Sequence, residues 1–164
     1  MRRFITVGAL LTAVALAAVT GASAAVSPSY QVGGVAFGAG QSTTFFGNGV
    51  GSTGDRASWQ ATTARDSVTG SITGGTFSLR SSNGSTAAWT FAGGSYTLAS
   101  ATPGCGRQTY TLVGNLTSAD GAATLTATLT TFRFQFRGTC TTLLSTVTGS
   151  LTPAATGGPP IGDL

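Results

Sequence analysis

The chain contains no His, no Lys and no Glu. Every basic side chain is therefore Arg and every acidic one Asp, and charged residues make up only 7% of its 164 positions. The missing His excludes Ser-His-Asp and Cys-His catalysis and the usual imidazole base. The missing Lys excludes Schiff-base and Ser-Lys mechanisms. Cysteine occurs twice. With those two paired and no His, no ligand set for zinc or copper remains, and no cofactor is expected. No glycine-rich stretch ends in Lys-Ser/Thr, so a phosphate loop is absent. One catalytic option survives, a carboxylate pair of the kind that hydrolyses glycosides. Its candidates are Asp55, Asp66 and Asp120. Asp120 is claimed by a turn, and Asp55 and Asp66 each adjoin an Arg. The expectation is a protein that is not an enzyme.

Positive charge is also scarcer than the formal net of +4 suggests. Arg2 and Arg3 lie in a segment expected to be removed. The six other Arg (56, 65, 80, 107, 133, 137) are dispersed and face four Asp. Nucleic-acid binding needs several bases acting on phosphates together, so no nucleic-acid partner is expected. Residues 1–24, MRRFITVGALLTAVALAAVTGASA, read as a signal peptide of bacterial style. A short basic start precedes an apolar run from Phe4, and Ala22-Ser23-Ala24 supplies a small-x-small cleavage site. The mature chain would be secreted, extracellular and without a stable membrane anchor. In such a compartment Cys105 and Cys140 are expected to form a disulfide.

What the chain does have is Gly, Ser, Thr and Ala, with 41% hydrophobic residues that alternate with polar ones. Low charge and alternation favour strands over disorder. Residues 25–152 are read as one secreted all-β domain and 153–164 as a disordered Pro/Gly tail. Residues 25–50 are broken by glycines. Tyr30–Val32, Val35–Phe37 and Thr43–Phe46 are short strand candidates there, with a mobile lid or loop as the alternative, and Ala57–Thr63 is a clearer strand. The pattern Val/Leu-x-Gly-Ser/Asn-Ile/Leu-Thr recurs at 68–73, 112–117 and 147–152. At strand period it points Gly70, Gly114 and Gly149 inward, as in a sheet that coils and closes.

Three hairpins follow from matching apolar faces. Around Ser82-Asn83-Gly84 a three-residue loop pairs Phe77 with Trp89 and Leu79 with Ala87. Gly93-Gly94 reads as a two-residue turn pairing Phe91 with Tyr96. Asp120-Gly121 reads as a type I′ turn pairing Leu116 with Leu125 and Leu112 with Leu129. Beyond Thr130-Thr131 the apolar alternation changes phase, so that Phe132, Phe134 and Phe136 share a face. A bulge or bend near Thr130-Thr131 is expected to explain it. The Asp120-Gly121 register also makes Cys105 and Cys140 neighbours.

The fold expected is an antiparallel meander β-barrel of about eight or nine strands, with a two-sheet β-sandwich as the alternative. Trp59, Trp89, Tyr96 and Tyr110 are candidate ligand-binding residues as ring-stacking or cavity-lining groups. Arg107, Arg133 and Arg137 join them as bases near one end of a hairpin. The first functional expectation is a secreted non-enzymatic binding protein with a small apolar or sugar-like ligand inside the barrel. The second is an extracellular surface or matrix protein, structural or interacting, without a pocket. A carboxylate-only glycoside hydrolase is the third.

Overall fold

The computed structural model describes residues 28–37, 42–119 and 121–154. The signal segment expected over 1–24 lies outside them, as does most of the tail expected from 153. The described residues form eight strands and no helix: β1 Tyr30–Phe37, β2 Ser42–Gly51, β3 Arg56–Arg65, β4 Ile72–Ser81, β5 Thr86–Ala101, β6 Gln108–Ser118, β7 Gly121–Phe136 and β8 Thr139–Pro153. Each strand pairs antiparallel with the next, and β8 pairs back onto β1 from Tyr30↔Leu151 to Ala36↔Ser145. That last ladder closes the barrel and decides against the sandwich. An even strand number allows this closure with antiparallel pairs throughout.

Period-two patterning sets the two faces. Along β7, Ala123, Leu125, Ala127 and Leu129 are buried while Thr124, Thr126 and Thr128 are exposed. The outer wall is thus rich in hydroxyls and the lumen is apolar. This is the reverse of a transmembrane barrel, whose apolar side chains face out.

Closure brings β1 and β2 together at glycines. Gly34 pairs with Gly47, and a Cβ on either would overlap the other strand's backbone, at Phe46 O for Gly34 and Gly33 O for Gly47. Gly47 also pairs with Trp59 of β3. The indole Nε1–H donates to Gly33 O and Asn48 O at 3.1 Å each. The glycine-broken alternation is therefore that of two strands, Tyr30–Phe37 and Ser42–Gly51. Their glycines let the two backbones approach closely.

The β4–β5 hairpin has the expected three-residue loop, with Phe77↔Trp89 and Leu79↔Ala87 paired and Gly84 at φ 90°. Two other turns differ from expectation. Gly93-Gly94 is no hairpin. β5 runs straight through it, with Phe91↔Leu116, Gly93↔Asn115 and Gly94↔Gly114, and Ala92 is left over as a bulge. The extra residue flips the phase, so Phe91 and Tyr96, five apart, are both buried inside. The β6–β7 turn sits one residue earlier than Asp120-Gly121. Ser118 pairs with Gly121, which puts Leu116 opposite Ala123 and Leu112 opposite Ala127. Asp120 itself is outside the described residues.

Of the three recurring motifs, two behave as expected. Leu112, Leu116, Val147 and Leu151 are buried, and a Cβ on Gly114 would enter the Phe91 ring. The first copy does not. Gly70 lies at φ 71° in the β3–β4 loop, accepting from Tyr96 N, and Val68 is exposed. At the chain's other end, Pro153 still belongs to β8 and pairs with Ala123, and Ala154 N donates to Ala122 O at 2.8 Å.

The tight contact at Gly47 yields a prediction. Gly47→Ala must push one strand off another, and should lower unfolding free energy by about 1–3 kcal/mol. The urea midpoint should fall with its slope unchanged. Gly74→Ala enters open space and should stay within about 0.5 kcal/mol of the parent.

Candidate functional site

The lumen is filled by the chain itself. Phe77, Leu112, Leu116 and Leu151 are wholly buried, and Trp59 stacks on Phe77 with ring centres 5.7 Å apart. The void left among Val32, Phe45, Trp59, Phe91 and Leu125 is about 10 Å³. A ligand pocket needs several hundred. A ligand held inside the barrel, the first expectation from the sequence, has no space there. A second hollow, at the mouth formed by Tyr30, Leu79, Trp89 and Leu151, measures about 140 Å³.

The aromatic candidates accordingly divide. Trp59 and Tyr96 are buried, and Trp89 and Tyr110 are half-buried against the core. Tyr110 Oη donates to Gln108 Oε1 at 3.1 Å. Tyr96 shares a 2.7 Å hydrogen bond with Thr63 Oγ1 across the lumen. Burial pushes its hydroxyl up from 10.0 to about 12, against smaller downward pulls from that bond and from the Arg65 guanidinium, which lies 5.2 Å from the ring centre. Thr63 and Tyr96 belong to a polar layer that the alternation did not reveal. Thr43, Thr63, Thr131 and Ser145 are all buried, and Thr131 and Ser145 hydrogen-bond at 3.1 Å. Thr on a strand reads as an outward residue, so only closure of the barrel identifies these as inward.

Above the Thr131–Ser145 pair the barrel ends and two strands continue. β6 leaves β7 at Gln108↔Thr131 and β1 leaves β8 at Ala36↔Ser145. The ladder β7–β8 goes on to Phe136↔Thr139 as a two-stranded ribbon. Its inner face carries Arg133, Gln135 and Cys140, continuing the lumen's face. Cys140 is bonded to Cys105 of the β5–β6 loop, with Cα atoms 5.2 Å apart. The disulfide clasps the ribbon to the barrel.

The phase change is resolved here in an unexpected way. β7 has no bulge at Thr130-Thr131. Its register shift lies between Phe132 and Arg133, where the extra residue is Leu143 on β8. Phe132, Phe134 and Phe136 stay on the outer face and are exposed, Phe136 by 54%. The bulged Leu143 is 72% exposed and Leu144 lies beside Phe132. One step beyond Ala36↔Ser145, Phe37 extends this apolar strip, and it stacks on Phe46 with ring centres 5.2 Å apart. Two of the three bases border the same strip. Arg137 sits in the tip turn at φ 48° with its guanidinium 5.3 Å from the centre of the Phe136 ring. Arg107 directly precedes Gln108, the partner of Thr131, and is exposed. Arg133 is half-buried on the ribbon's other face.

Two further features bear on chemistry. An open groove of about 790 Å³ runs over the outer wall between Asn48, Val50, Arg56, Ser58 and Arg80. The carboxylates do not converge. Asp55 and Asp66 stand at opposite ends of β3, roughly 30 Å apart at the rise of a strand, where a glycosidase pair needs about 5–10 Å. Asp66 caps the β3–β4 turn, its Oδ1 accepting from Val68 N and Thr69 N, which holds its pKa below the usual value. Among the described residues no three His, Cys, Asp or Glu gather as a metal-ligand set.

Two predictions follow from this end of the molecule. The raised Tyr96 pKa stabilises the fold in full below pH 10, and that contribution is lost as pH rises through about 12. Melting temperature should hold up to about pH 10 and fall between 10 and 12, and Tyr96→Phe should flatten that fall. Replacing both cysteines by Ser should cost about 2–4 kcal/mol. Far-ultraviolet circular dichroism should stay that of a barrel, while trypsin should cut after Arg133 and Arg137 much faster than in the parent.

The chain matches no protein-family model, no curated protein and no solved structure.

Proposed function

We propose that this chain is an exported, non-enzymatic interaction protein that works through the outside of its barrel, at the disulfide end. The observation that carries this reading is the exposed apolar strip on the β7–β8 ribbon. Its outer face changes from Thr126, Thr128 and Thr130 to Phe132, Phe134 and Phe136 where the ribbon leaves the barrel. Large exposed apolar patches on a soluble protein mark contact sites. Nothing in the fold needs these rings, because the lumen is already full without them.

Export supports the reading in two ways. The first 24 residues have the form of a signal peptide, and the disulfide suits an oxidising compartment. The expected partner is a component of an extracellular surface. The barrel supplies rigidity and the ribbon supplies contact.

Retention on a phenyl matrix tests this directly. The parent should be held at moderate salt, and a Phe132→Ser, Phe134→Ser, Phe136→Ser variant should elute early with an unchanged melting temperature. Equal elution of the two would show that the strip makes no contact, and the reading would fall.

A further inference from the structure

We infer that the strip's partner is an anionic lipid surface, an assignment that rests on the outer-face reading above and names its substrate class. The first argument is shape. Phe132, Phe134 and Phe136 follow one another on one face of the ribbon, the rings of Phe134 and Phe136 6.3 Å apart, and Phe37 with Leu144 continues that face onto the barrel rim. A flat apolar face one side chain deep matches the roughly 5–10 Å to which interfacial elements sink at a membrane surface. It is too shallow to span one.

The second argument is charge. Arg107 and Arg137 stand at the two ends of the Phe row, and Arg133 lies on the ribbon between them. No acidic residue occurs between positions 67 and 119 or between 121 and 162. Long Arg side chains at the edge of an apolar face reach back to phosphate oxygens while the rings sit deeper. The guanidinium of Arg137 already lies over the Phe136 ring, 5.3 Å from its centre.

A second copy of the chain fits less well. A two-fold contact through the strip sets the same residues against each other, bringing these arginines together with no carboxylate to separate them. An anionic bilayer supplies the missing charge as well as the apolar cover.

The disulfide gives the ribbon its function in this scheme. An isolated two-stranded hairpin is marginally stable in water. Clasped at Cys140, it presents its Phe face pre-ordered, and the ordering entropy need not be lost on contact.

The test uses the full secreted chain, disulfide intact, cosedimented with phosphatidylcholine vesicles with and without phosphatidylglycerol. Binding should require phosphatidylglycerol and weaken as salt rises. Arg107→Gln and Arg137→Gln should each weaken it about fivefold. The Phe134→Ser, Phe136→Ser variant should abolish it, with melting temperature confirming the fold of all three. Equal binding to both vesicle types would overturn the anionic assignment. No binding to either, with phenyl retention intact, would overturn the lipid and leave the outer-face reading standing. Loss of phenyl retention would remove both. A concentration-dependent dimer in sedimentation, dispersed by the Phe variant, would overturn the lipid in favour of a second copy.

Discussion

The barrel stands on one volume constraint. Eight strands enclose a lumen just wide enough for side chains, so a large inward ring needs a vacant place beside it. Glycine supplies that place. The Phe91 ring fills the position a Cβ on Gly114 would take, and the Tyr30 ring packs 3.1 Å from the position of one on Gly51. This accounts for a composition that looks loose, with 25 glycines and 41% hydrophobic residues. Gly114 is the small half of a large–small pair, while Gly34, Gly47 and Gly149 let neighbouring backbones approach. Among the core side chains only about 10 Å³ stays open.

How much of this the sequence reveals depends on side-chain period. Where Leu or Ala alternates with Thr, as in β6 and β7, the inner and outer faces are legible residue by residue. The three-residue β4–β5 loop is legible for the same reason, since only that length puts Phe77 beside Trp89. The β6–β7 turn shows the limit of the method. Moving a turn by one residue moves the pairing by two, and every face stays as it was. Facing could not choose between Leu116 opposite Leu125 and Leu116 opposite Ala123. Gly93-Gly94 failed differently. A glycine pair serves a tight turn and a bulge equally well, and the bulge prevails because it keeps both Phe91 and Tyr96 in the core.

The candidate site was half legible. The proximity of Cys105 and Cys140 and the gathering of Arg107, Arg133 and Arg137 at one end were readable from hairpin pairing. Buried Thr43, Thr63, Thr131 and Ser145 were not, because local sequence cannot distinguish a hydroxyl facing water from one facing another hydroxyl. Thr63 meets Tyr96 from a strand that is not its neighbour, and Thr131 meets Ser145 only once the β7–β8 register is set. Large rings suit both cores and binding surfaces; Trp59 and Tyr96 lie in the core, while Trp89 and Tyr110 are half-buried against it.

The three Phe of β7 expose the assumption behind apolar periodicity. Alternation shows which residues share a face and does not show which face is buried. Through Leu129 the apolar side of β7 points inward. From Phe132 the apolar side points outward, with the strand itself unbroken. What changes is the surroundings. Below Thr131, β6 and β8 both flank the strand and the lumen covers one face. Above it β6 is gone, and the face continuing the lumen is taken by Arg133, Gln135 and the disulfide. An apolar inner face there would have closed over the barrel mouth as ordinary core. A polar inner face clasped by Cys140–Cys105 holds the ribbon against the β5–β6 loop and leaves its Phe side uncovered. The inversion at Thr131 thus divides one strand into a barrel wall below and an uncovered apolar face above.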